Sequence, residues 1–502
     1  MTIYNINLGI GWASSGVEYA QLYRAEVLRR TNQQAKFVFL DFISNNNIAN
    51  LTKNIGFRND EVIWLYQYFT DVPVSPTTYS PEQLEKTFSY PITRVERQEH
   101  LIRYFFDDQE MMATAYLAKN NDLAVERVEL VSRGNLIRKD FFVATRLFAE
   151  YYSPRDNRAY LYQRKFFNLD GSVAYEEIID GDNIMYRFRE QVFYSKTEFI
   201  AYFLTCLKLS SEDVVILDRA TDIGNTVIKH SKPAKIGVVV HAEHYSKNYT
   251  DSHHILWNNF YEYQFDQARH VDFFVTATRA QMVVLKRQFE QYTLDRPRVF
   301  DIPVGSLSML KKPTSNRTKD SLITASRLAG EKHVDLLVWA VIEAKKQIPN
   351  LTFSIYGTGG EEAKIAKIIS DNHAENYIKL MGHAKLDDIY QTYEAYISAS
   401  TSEGFGLTLM EAVGSGLPIV GFNVPYGNQN FIMDGENGYL VPYDEEFKPK
   451  DLITYLAEGI MKLFYEDKIM QFSQASYKLA ELYLTSEVQE KWENTIREVI
   501  ND

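Results

Sequence analysis

Short apolar runs that alternate with helix-length segments constrain the fold of this 502-residue chain more than any other feature. The run Thr2–Asn7 is followed by a glycine-containing turn, a helix-length segment and a second apolar run. The same order recurs with runs at 213–218, 234–240, 272–276, 321–325, 351–356, 377–381, 395–399 and 418–422. Continuous apolar strands between helices are typical of a parallel sheet that is covered on both faces. The sequence therefore predicts an α/β protein with doubly wound domains.

The segment 51–205 interrupts this alternation. Aromatic residues are denser there than in the whole chain, and Asn, Asp and Gly recur between short runs of strand formers. This pattern is typical of an antiparallel meander. Asp180-Gly-Asp182 has a spacing that could hold a metal ion, but it falls on one of these turns, where Asp-Gly is favourable, so we interpret it as structural.

We predict four segments from this organisation. An N-terminal Rossmann-like domain is formed by 1–50 and 206–310, and a β-rich insertion occupies 51–205. A C-terminal Rossmann-like domain covers 311–485, and a helix at 486–502 packs back on the N-terminal domain. Ligands of such sheets bind at the carboxyl ends of the strands, so a cleft between two facing domains is the expected site.

Composition excludes several classes of protein. The chain has 54 Lys and Arg against 66 Asp and Glu, a net charge of −12, which argues against a general nucleic-acid binder. Cys206 is the single cysteine, so neither an internal disulfide nor a cysteine-based zinc site is expected. The sequence starts without a basic, apolar leader, and no run approaches the roughly 20 apolar residues of a membrane span. We therefore expect a cytoplasmic protein.

Two segments that follow strands are candidates for phosphate binding. The stretch from Leu8 to Glu18 places Gly9, Gly11 and Gly16 before a helix, where backbone N–H groups suit phosphate, although these glycines could equally serve a tight turn. Arg327 and Lys332 follow the strand at 321–325, and at that position they would neutralise a diphosphate; the alternative is ordinary exposed cations.

A third segment carries two carboxylates eight residues apart. Glu403 and Glu411 flank a strand-to-helix junction, with Gly404 and Gly406 between them. Such a loop could offer N–H groups to a phosphate or sugar while the carboxylates accept hydrogen bonds from hydroxyls. The alternative for Glu403 is a solvated carboxylate that the helix dipole stabilises.

The histidines at 241, 244, 253 and 254 lack the pattern of a zinc site, because neither HExxH nor a cysteine partner is present. His241 directly follows the apolar run at 234–240, so we expect it to face the ligand cleft.

Taken together, Arg327 with Lys332, Glu403-x7-Glu411 and Ser15-Gly16-Val-Glu18 resemble the signature of the family 4 retaining glycosyltransferases with the GT-B fold. Asp434-Gly-Glu-Asn-Gly438 is similar to that family's usual ending of the second domain. The first 19 residues and the β-rich insertion further resemble the A subunits of the streptococcal and staphylococcal O-GlcNAc transferases that modify serine-rich-repeat adhesins.

The resemblance implies a role for each matching position. Arg327 and Lys332 would bind the diphosphate of UDP-GlcNAc, Glu403 the donor sugar and Glu411 the ribose. His241 would lie beside the reacting end of the sugar. The remaining donor-binding positions would be Gly16, Val17, Glu18, Tyr19, His383, Ala384, Gly404, Phe405, Gly406 and Leu407. The chemistry would be retaining, with the leaving diphosphate helping to deprotonate the acceptor, and neither a metal nor another cofactor is expected.

The resemblance also implies a biological setting. This chain would be the catalytic subunit that glycosylates Ser and Thr of a serine-rich-repeat polypeptide before export, together with a homologous B subunit. It would act in the cytoplasm, with at most a peripheral association with the inner face of the membrane. One alternative is a wall teichoic acid α-GlcNAc transferase, against which the net acidic insertion argues. A second is a non-catalytic, glycosyltransferase-like subunit that holds the acceptor, which would not need the four charged donor residues.

Overall fold

The computed structural model of the chain describes residues 1–10, 16–44, 46–119, 121–156 and 158–501. These residues form two compact units. The first contains 1–18 and 33–236, and the second contains 19–32 and 237–502.

A parallel sheet forms one part of the first unit, with the strand order β3-β2-β1. Val62 of its third strand pairs with Phe37 of the second, so the chain just past residue 51 belongs to this parallel sheet and not to the antiparallel meander. The elements up to this point are β1 (Thr2–Asn7), α1 (Gly16–Arg30), β2 (Gln34–Phe39), α2 (Ile48–Ile55), β3 (Val62–Trp64), α3 (Leu65–Tyr68) and α4 (Pro81–Glu85).

A ten-stranded antiparallel sheet follows, in which each strand pairs with the next along the chain. Asp180 pairs with Asn183 across a hairpin whose Gly181 has a φ of +61°, which confirms the structural interpretation of this acidic turn. The strands are β4 (Arg94–Gln98), β5 (Leu101–Phe106), β6 (Met111–Ala118), β7 (Asn121–Ser132), β8 (Asn135–Phe142), β9 (Arg146–Arg155), β10 (Arg158–Phe167), β11 (Val173–Asp180), β12 (Asn183–Arg187) and β13 (Val192–Phe193).

An aromatic core joins this sheet to the parallel sheet within the first unit. Phe42, which follows β2, contacts Phe148 and Phe166 with ring centroids 5.3 and 6.3 Å apart. The guanidinium of Arg164 lies 3.9 Å from the Phe42 ring and donates to the buried carboxylates of Glu150 and Glu177. Because these carboxylates are buried, removal of Arg164 would leave their charge uncompensated and would destabilise the first unit.

The chain then returns to parallel strands. β14 pairs with β1 in the first unit, and β16 pairs with both β15 and β17 in the second. The elements of this stretch are α5 (Lys196–Cys206), β14 (Val214–Leu217), α6 (Gly224–His230), β15 (Lys235–Val240), α7 (Glu262–Asp266), β16 (Phe273–Thr276), α8 (Arg279–Tyr292) and β17 (Val299–Asp301).

A six-stranded parallel sheet with the order β20-β19-β18-β21-β22-β23 completes the second unit. The chain moves outward from β18 to one side and then crosses to β21 on the other, so the strand order reverses between β18 and β21. The carboxyl ends of two such strands are where open α/β sheets bind ligands. The strands are β18 (Ser321–Ala325), β19 (Thr352–Tyr356), β20 (Ile378–Gly382), β21 (Ala395–Ser398), β22 (Ile419–Phe422) and β23 (Gly438–Val441).

Among the described residues, seven α-helices follow β18, and the last of them contacts residues of the predicted N-terminal domain. Lys491 of this helix donates to Asp301, and the Trp492 ring lies 5.0 Å from the guanidinium carbon of Arg24 in α1. The helices are α9 (Val334–Lys345), α10 (Glu362–Asp371), α11 (Leu407–Gly414), α12 (Gly427–Phe431), α13 (Pro449–Tyr465), α14 (Ile469–Ala480) and α15 (Thr485–Asn501). None of the helices in the described part of the chain is both long and apolar enough to cross a bilayer.

Candidate functional site

The loop that follows β18 carries Arg327 and Lys332, and a second loop supports it. Leu328 N donates to Thr358 O at 3.0 Å, and Ser326 N donates to Tyr356 O at 3.1 Å. Gly357 in the supporting loop has a φ of +127°, and a Cβ there would lie 1.9 Å from Ser326 O. The close approach of the two backbones therefore requires glycine at 357.

Gly357→Ala tests this requirement. A side chain at this position meets a backbone oxygen and an unfavourable φ, so we expect a loss of about 3 kcal/mol or more in the free energy of unfolding. Gly360 is the matched control, because a Cβ there meets nothing within 4 Å and its φ lies outside the left-handed region. Gly360→Ala should change stability by less than about 0.5 kcal/mol. Denaturant titration of both variants makes the comparison, and equal losses would contradict it.

The loop that follows β21 carries Glu403 and runs into the N-terminus of α11. Glu403 O accepts hydrogen bonds from Tyr426 N at 3.0 Å and from Gly427 N at 2.7 Å. Gly406 precedes the first residue of α11 with a φ of +91°, and its carbonyl accepts from Met410 N at 3.0 Å. The N–H groups at the start of a helix are free for an anion, so this loop can present them to a phosphate.

These two loops meet through their charged side chains. Lys332 Nζ donates to Glu403 Oε2 at 2.7 Å, and the two side chains are 17% and 20% exposed. The structure thus brings together two residues that are 71 positions apart, at the strand ends where the sheet order reverses. A partly desolvated ammonium at this place is suited to stabilise a leaving diphosphate, while its carboxylate partner holds it in position.

Arg327 is placed differently from Lys332. Its side chain is 72% exposed and donates to Glu331 Oε1 at 3.1 Å. This is an ion pair between two residues four positions apart in the same loop. An exposed pair of this kind costs little to break, so the guanidinium can turn to a ligand without a large penalty.

His241 follows β15, as expected, and its backbone contacts the Glu403 loop. A Cβ at Gly404 would lie 2.6 Å from His241 O, so only glycine allows this approach. The amides of His241 and Ala242 both donate to the hydroxyl of Tyr261, at 2.9 and 3.0 Å. The structure therefore holds the main chain at His241 directly beside the sugar-binding loop that the sequence predicts.

Glu411 lies in α11 and contacts two tyrosines. The hydroxyl of Tyr390 donates to Glu411 Oε2 at 3.0 Å, and Tyr23 of α1 also hydrogen-bonds to this carboxylate. Burial raises the pKa of Glu411 to about 7, although both tyrosine hydrogen bonds act in the opposite direction. The carboxylate is therefore half protonated near neutral pH in the absence of a ligand.

This pKa predicts a pH-dependent affinity for a ribose ligand. A carboxylate accepts hydrogen bonds from two ribose hydroxyls, and protonation removes part of that capacity. If only the anion binds, a pKa of about 7 predicts that the affinity for UDP-GlcNAc, the ligand that the resemblance implies, rises about tenfold from pH 6 to pH 8. Glu411→Gln should bind more weakly at pH 8 and lose this component of the pH dependence. Calorimetry without an acceptor measures both proteins, and an unchanged pH profile of the variant would refute the assignment.

The remaining predicted donor residues are distributed over both units. His383 is exposed after β20, and Ala384 packs against the apolar core of the second unit. Gly16, Val17 and Glu18 begin α1 in the first unit, where Glu18 is buried, hydrogen-bonds to Asn7 and pairs with Arg219 at 3.5 Å. Tyr19 is exposed in the second unit. Gly11 and Ser15 lie outside the described residues.

A cavity of about 540 Å³ lies elsewhere, inside the first unit. Aromatic side chains that include Trp64, Phe141 and Phe148 line it, and none of the predicted donor residues does. The described residues contain no group of three or more His, Cys, Asp or Glu that could hold a metal ion.

Sequence reasoning missed the residues that support the site. Gly357-Thr-Gly-Gly360 directly follows the predicted strand at 351–356. A glycine-rich segment at the carboxyl end of a strand could have indicated a loop at the ligand site. Tyr23 and Tyr390, which hold Glu411, and Tyr426, which holds Glu403 through its amide, gave no local signal because their partners lie far away in the sequence.

Two family models match the chain. The GtfA extended beta-sheet domain matches residues 94–190, nearly the span of the ten-stranded sheet, and Glycosyl transferases group 1 matches residues 308–472.

Known proteins and solved structures are similar to this chain over its whole length. The GtfA subunit of the UDP-N-acetylglucosamine–peptide N-acetylglucosaminyltransferase of Streptococcus gordonii is 52% identical over 503 residues, which cover 100% of this chain and 99% of that protein. The crystal structure of the pneumococcal O-GlcNAc transferase GtfA in complex with UDP and GlcNAc contains a chain that is 50% identical in sequence, with a TM-score of 0.94. The match covers 100% of this chain and 99% of that chain. A structure of the GtfA/B complex contains a chain that is 52% identical, with a TM-score of 0.96 and coverage of 100% of both chains.

Proposed function

Because the chain belongs to the family of GtfA subunits of UDP-N-acetylglucosamine–peptide N-acetylglucosaminyltransferases, we propose that it transfers GlcNAc from UDP-GlcNAc to Ser and Thr hydroxyls of a polypeptide. The observation that carries this proposal is the similarity at about half identity along the full length of the chain. Its fold is the GT-B fold that the sequence predicts.

The Lys332–Glu403 pair supplies the centre of the proposed mechanism. Cleavage of the bond between sugar and diphosphate leaves negative charge on the diphosphate, and the Lys332 ammonium lies ready to stabilise it. Arg327 would turn from Glu331 to the same group and add a bidentate contact. The N–H groups at the start of α11 would bind a neighbouring phosphate oxygen. Glu403 holds the Lys332 ammonium before the reaction, so this charge would need little reorganisation at the transition state, whereas Arg327 would have to turn.

Glu403 and Glu411 would hold the two ends of the donor. Glu403 would accept from the hydroxyls of GlcNAc and Glu411 from those of the ribose, with His383 and Ala384 beside the uracil. His241 would lie beside the reacting carbon. In the retaining reaction, the acceptor hydroxyl attacks from the side of the leaving diphosphate, which takes the proton of that hydroxyl. This route requires no metal or other cofactor.

The proposed assembly includes a second subunit. The GtfA/B complex among the similar structures supports a homologous B subunit as the partner. The acceptor would be a serine-rich-repeat adhesin that is modified in the cytoplasm before export, with at most a peripheral contact to the inner face of the membrane. The ten-stranded sheet carries the exposed side chains of Tyr160 and Tyr162, and Tyr194 is exposed just after its last strand, so this part of the chain offers aromatic surface for docking.

Two other functions fit less well. A teichoic acid acceptor is a polyanion, which the net acidic insertion would not favour. In addition, the relatives that match the full chain at about half identity are named as peptide transferases. A non-catalytic subunit would have no use for a charged donor site, yet Arg327, Lys332, Glu403 and Glu411 are all present.

Intact-mass measurement of a serine-rich-repeat polypeptide tests the proposal. The polypeptide is incubated with UDP-GlcNAc and this chain, with and without the B subunit. We expect mass steps of one N-acetylhexosamine in the presence of both chains. The absence of any step while UDP-GlcNAc is still hydrolysed would refute the peptide acceptor and favour teichoic acid.

A further inference from the structure

Glu243 connects the loop after β15 with the loop that carries Glu403. Glu243 lies two residues after His241, and its Oε1 accepts a hydrogen bond from the Tyr426 hydroxyl at 2.8 Å. Tyr426 is buried, and its own amide is one of the two that donate to Glu403 O. One residue thus joins the two loops. The Tyr426 hydroxyl donates to the Glu243 carboxylate, and the Tyr426 amide donates to the Glu403 carbonyl.

The same two loops also contact each other directly, through their main chains. The carbonyl of His241 lies against Gly404, where a Cβ would be 2.6 Å away. Two contacts, one at Gly404 and one through Tyr426, restrict the relative movement of the loops more than either contact alone would. His241 and Glu403 are the two residues that the proposed function places at the donor sugar.

Glu243 Oε1 accepts hydrogen bonds from the Tyr426 hydroxyl at 2.8 Å and from the neighbouring His244 amide at 3.3 Å. Burial lowers the pKa of His244 to about 4, so this ring is neutral near pH 7, and its Nδ1 is 3.6 Å from Glu243 Oε1. The Glu243 side chain is 36% exposed. Burial raises its pKa, which the Tyr426 hydrogen bond partly offsets. Of these two hydrogen bonds, the one from Tyr426 is the shorter and the one that reaches a distant part of the chain.

We infer that Glu243 is a positioning residue for sugar transfer, and that it acts through Tyr426 to hold the Glu403 loop against the main chain at His241. This inference rests on the proposed function. It assigns Glu243 no contact with the reacting atoms, so its hydrogen-bond acceptor matters and its charge does not. A glutamine can supply the same acceptor oxygen, and an alanine cannot.

Four variants test this role in the complex with the B subunit. Glu243→Ala and Tyr426→Phe should lower kcat for GlcNAc transfer at least tenfold, with the Kd for UDP unchanged within twofold, because the diphosphate and ribose contacts remain. Glu243→Gln should keep at least half of the wild-type kcat. Glu445→Gln is the matched control, since Glu445 accepts from Asn248 at 2.9 Å between the same two parts of the chain, but on the surface. It should behave as the wild type.

Hydrogen exchange of the four variants provides a readout that is independent of activity. Amides of the peptide 403–407 should exchange faster in Glu243→Ala and Tyr426→Phe than in wild type, and at the wild-type rate in Glu243→Gln and Glu445→Gln. Equal losses in Glu243→Gln and Glu243→Ala would overturn the inference, as would unchanged exchange in Tyr426→Phe. Wild-type protein that transfers no GlcNAc would refute the proposed function, while the exchange rates would still decide the positioning role.

Discussion

Lys332→Ala should lower kcat for GlcNAc transfer about 1,000-fold, since removal of one preorganised charge at a leaving group typically costs two to three orders of magnitude. The variant also leaves the Glu403 carboxylate, only 20% exposed, without its ammonium partner, which adds to the loss. Affinity for UDP-GlcNAc should fall less than kcat, because Lys332 acts most strongly when charge develops on the diphosphate. Single-turnover kinetics with the B subunit and a peptide acceptor separate these quantities.

Lys364→Ala is the control for this variant. Lys364 belongs to the same unit and pairs with Asp335 and Glu361 at 2.9 and 3.1 Å, but its side chain is 55% exposed. We expect wild-type kinetics from it, because an exposed pair contributes little. A Lys332→Ala protein that folds normally and retains more than a tenth of the wild-type kcat would contradict the assignment of Lys332.

The sequence was most informative where strands are buried on both faces. The predicted strands at 2–7 and 321–325 have the bounds that the structure shows, and most others differ by one or two residues. Continuous apolar runs identify such strands because no exposed face interrupts them. β3 was missed because it has three residues, too few to show a pattern, and its place in the parallel sheet depends on pairing with β2.

The candidate site was only partly predictable for a related reason. Lys332 and Glu403 could be singled out because each lies in a loop that follows a predicted strand, and strand order then brings these loops together. Glu243 could not be identified from the sequence, because its partner Tyr426 is 183 residues away and neither residue has a distinctive local pattern. Long-range hydrogen bonds of this kind depend on tertiary packing, which periodicity and motifs do not encode.

Glu403→Gln should lower kcat at least about 100-fold and leave the fold intact. The amide has the shape of the carboxylate, and the backbone contacts of Glu403 O with Tyr426 N and Gly427 N do not involve the side chain. The variant loses the charge that holds the Lys332 ammonium and keeps only one of the two oxygens that can accept from the sugar hydroxyls, so the effect should fall mainly on kcat. Thermal unfolding within a few degrees of wild type would show that the loss is local.

The double variant Lys332→Ala with Glu403→Gln distinguishes a joint function from two separate ones. Residues that act as a unit give effects far from additive, so the double variant should be no more than about threefold slower than Lys332→Ala alone. Independent roles would instead multiply the two losses to about 100,000-fold. The 2.7 Å hydrogen bond between Nζ and Oε2 favours the first outcome, because removal of the lysine already deprives Glu403 of the partner that orients it. Multiplied losses would mean that Glu403 holds the sugar without help from Lys332.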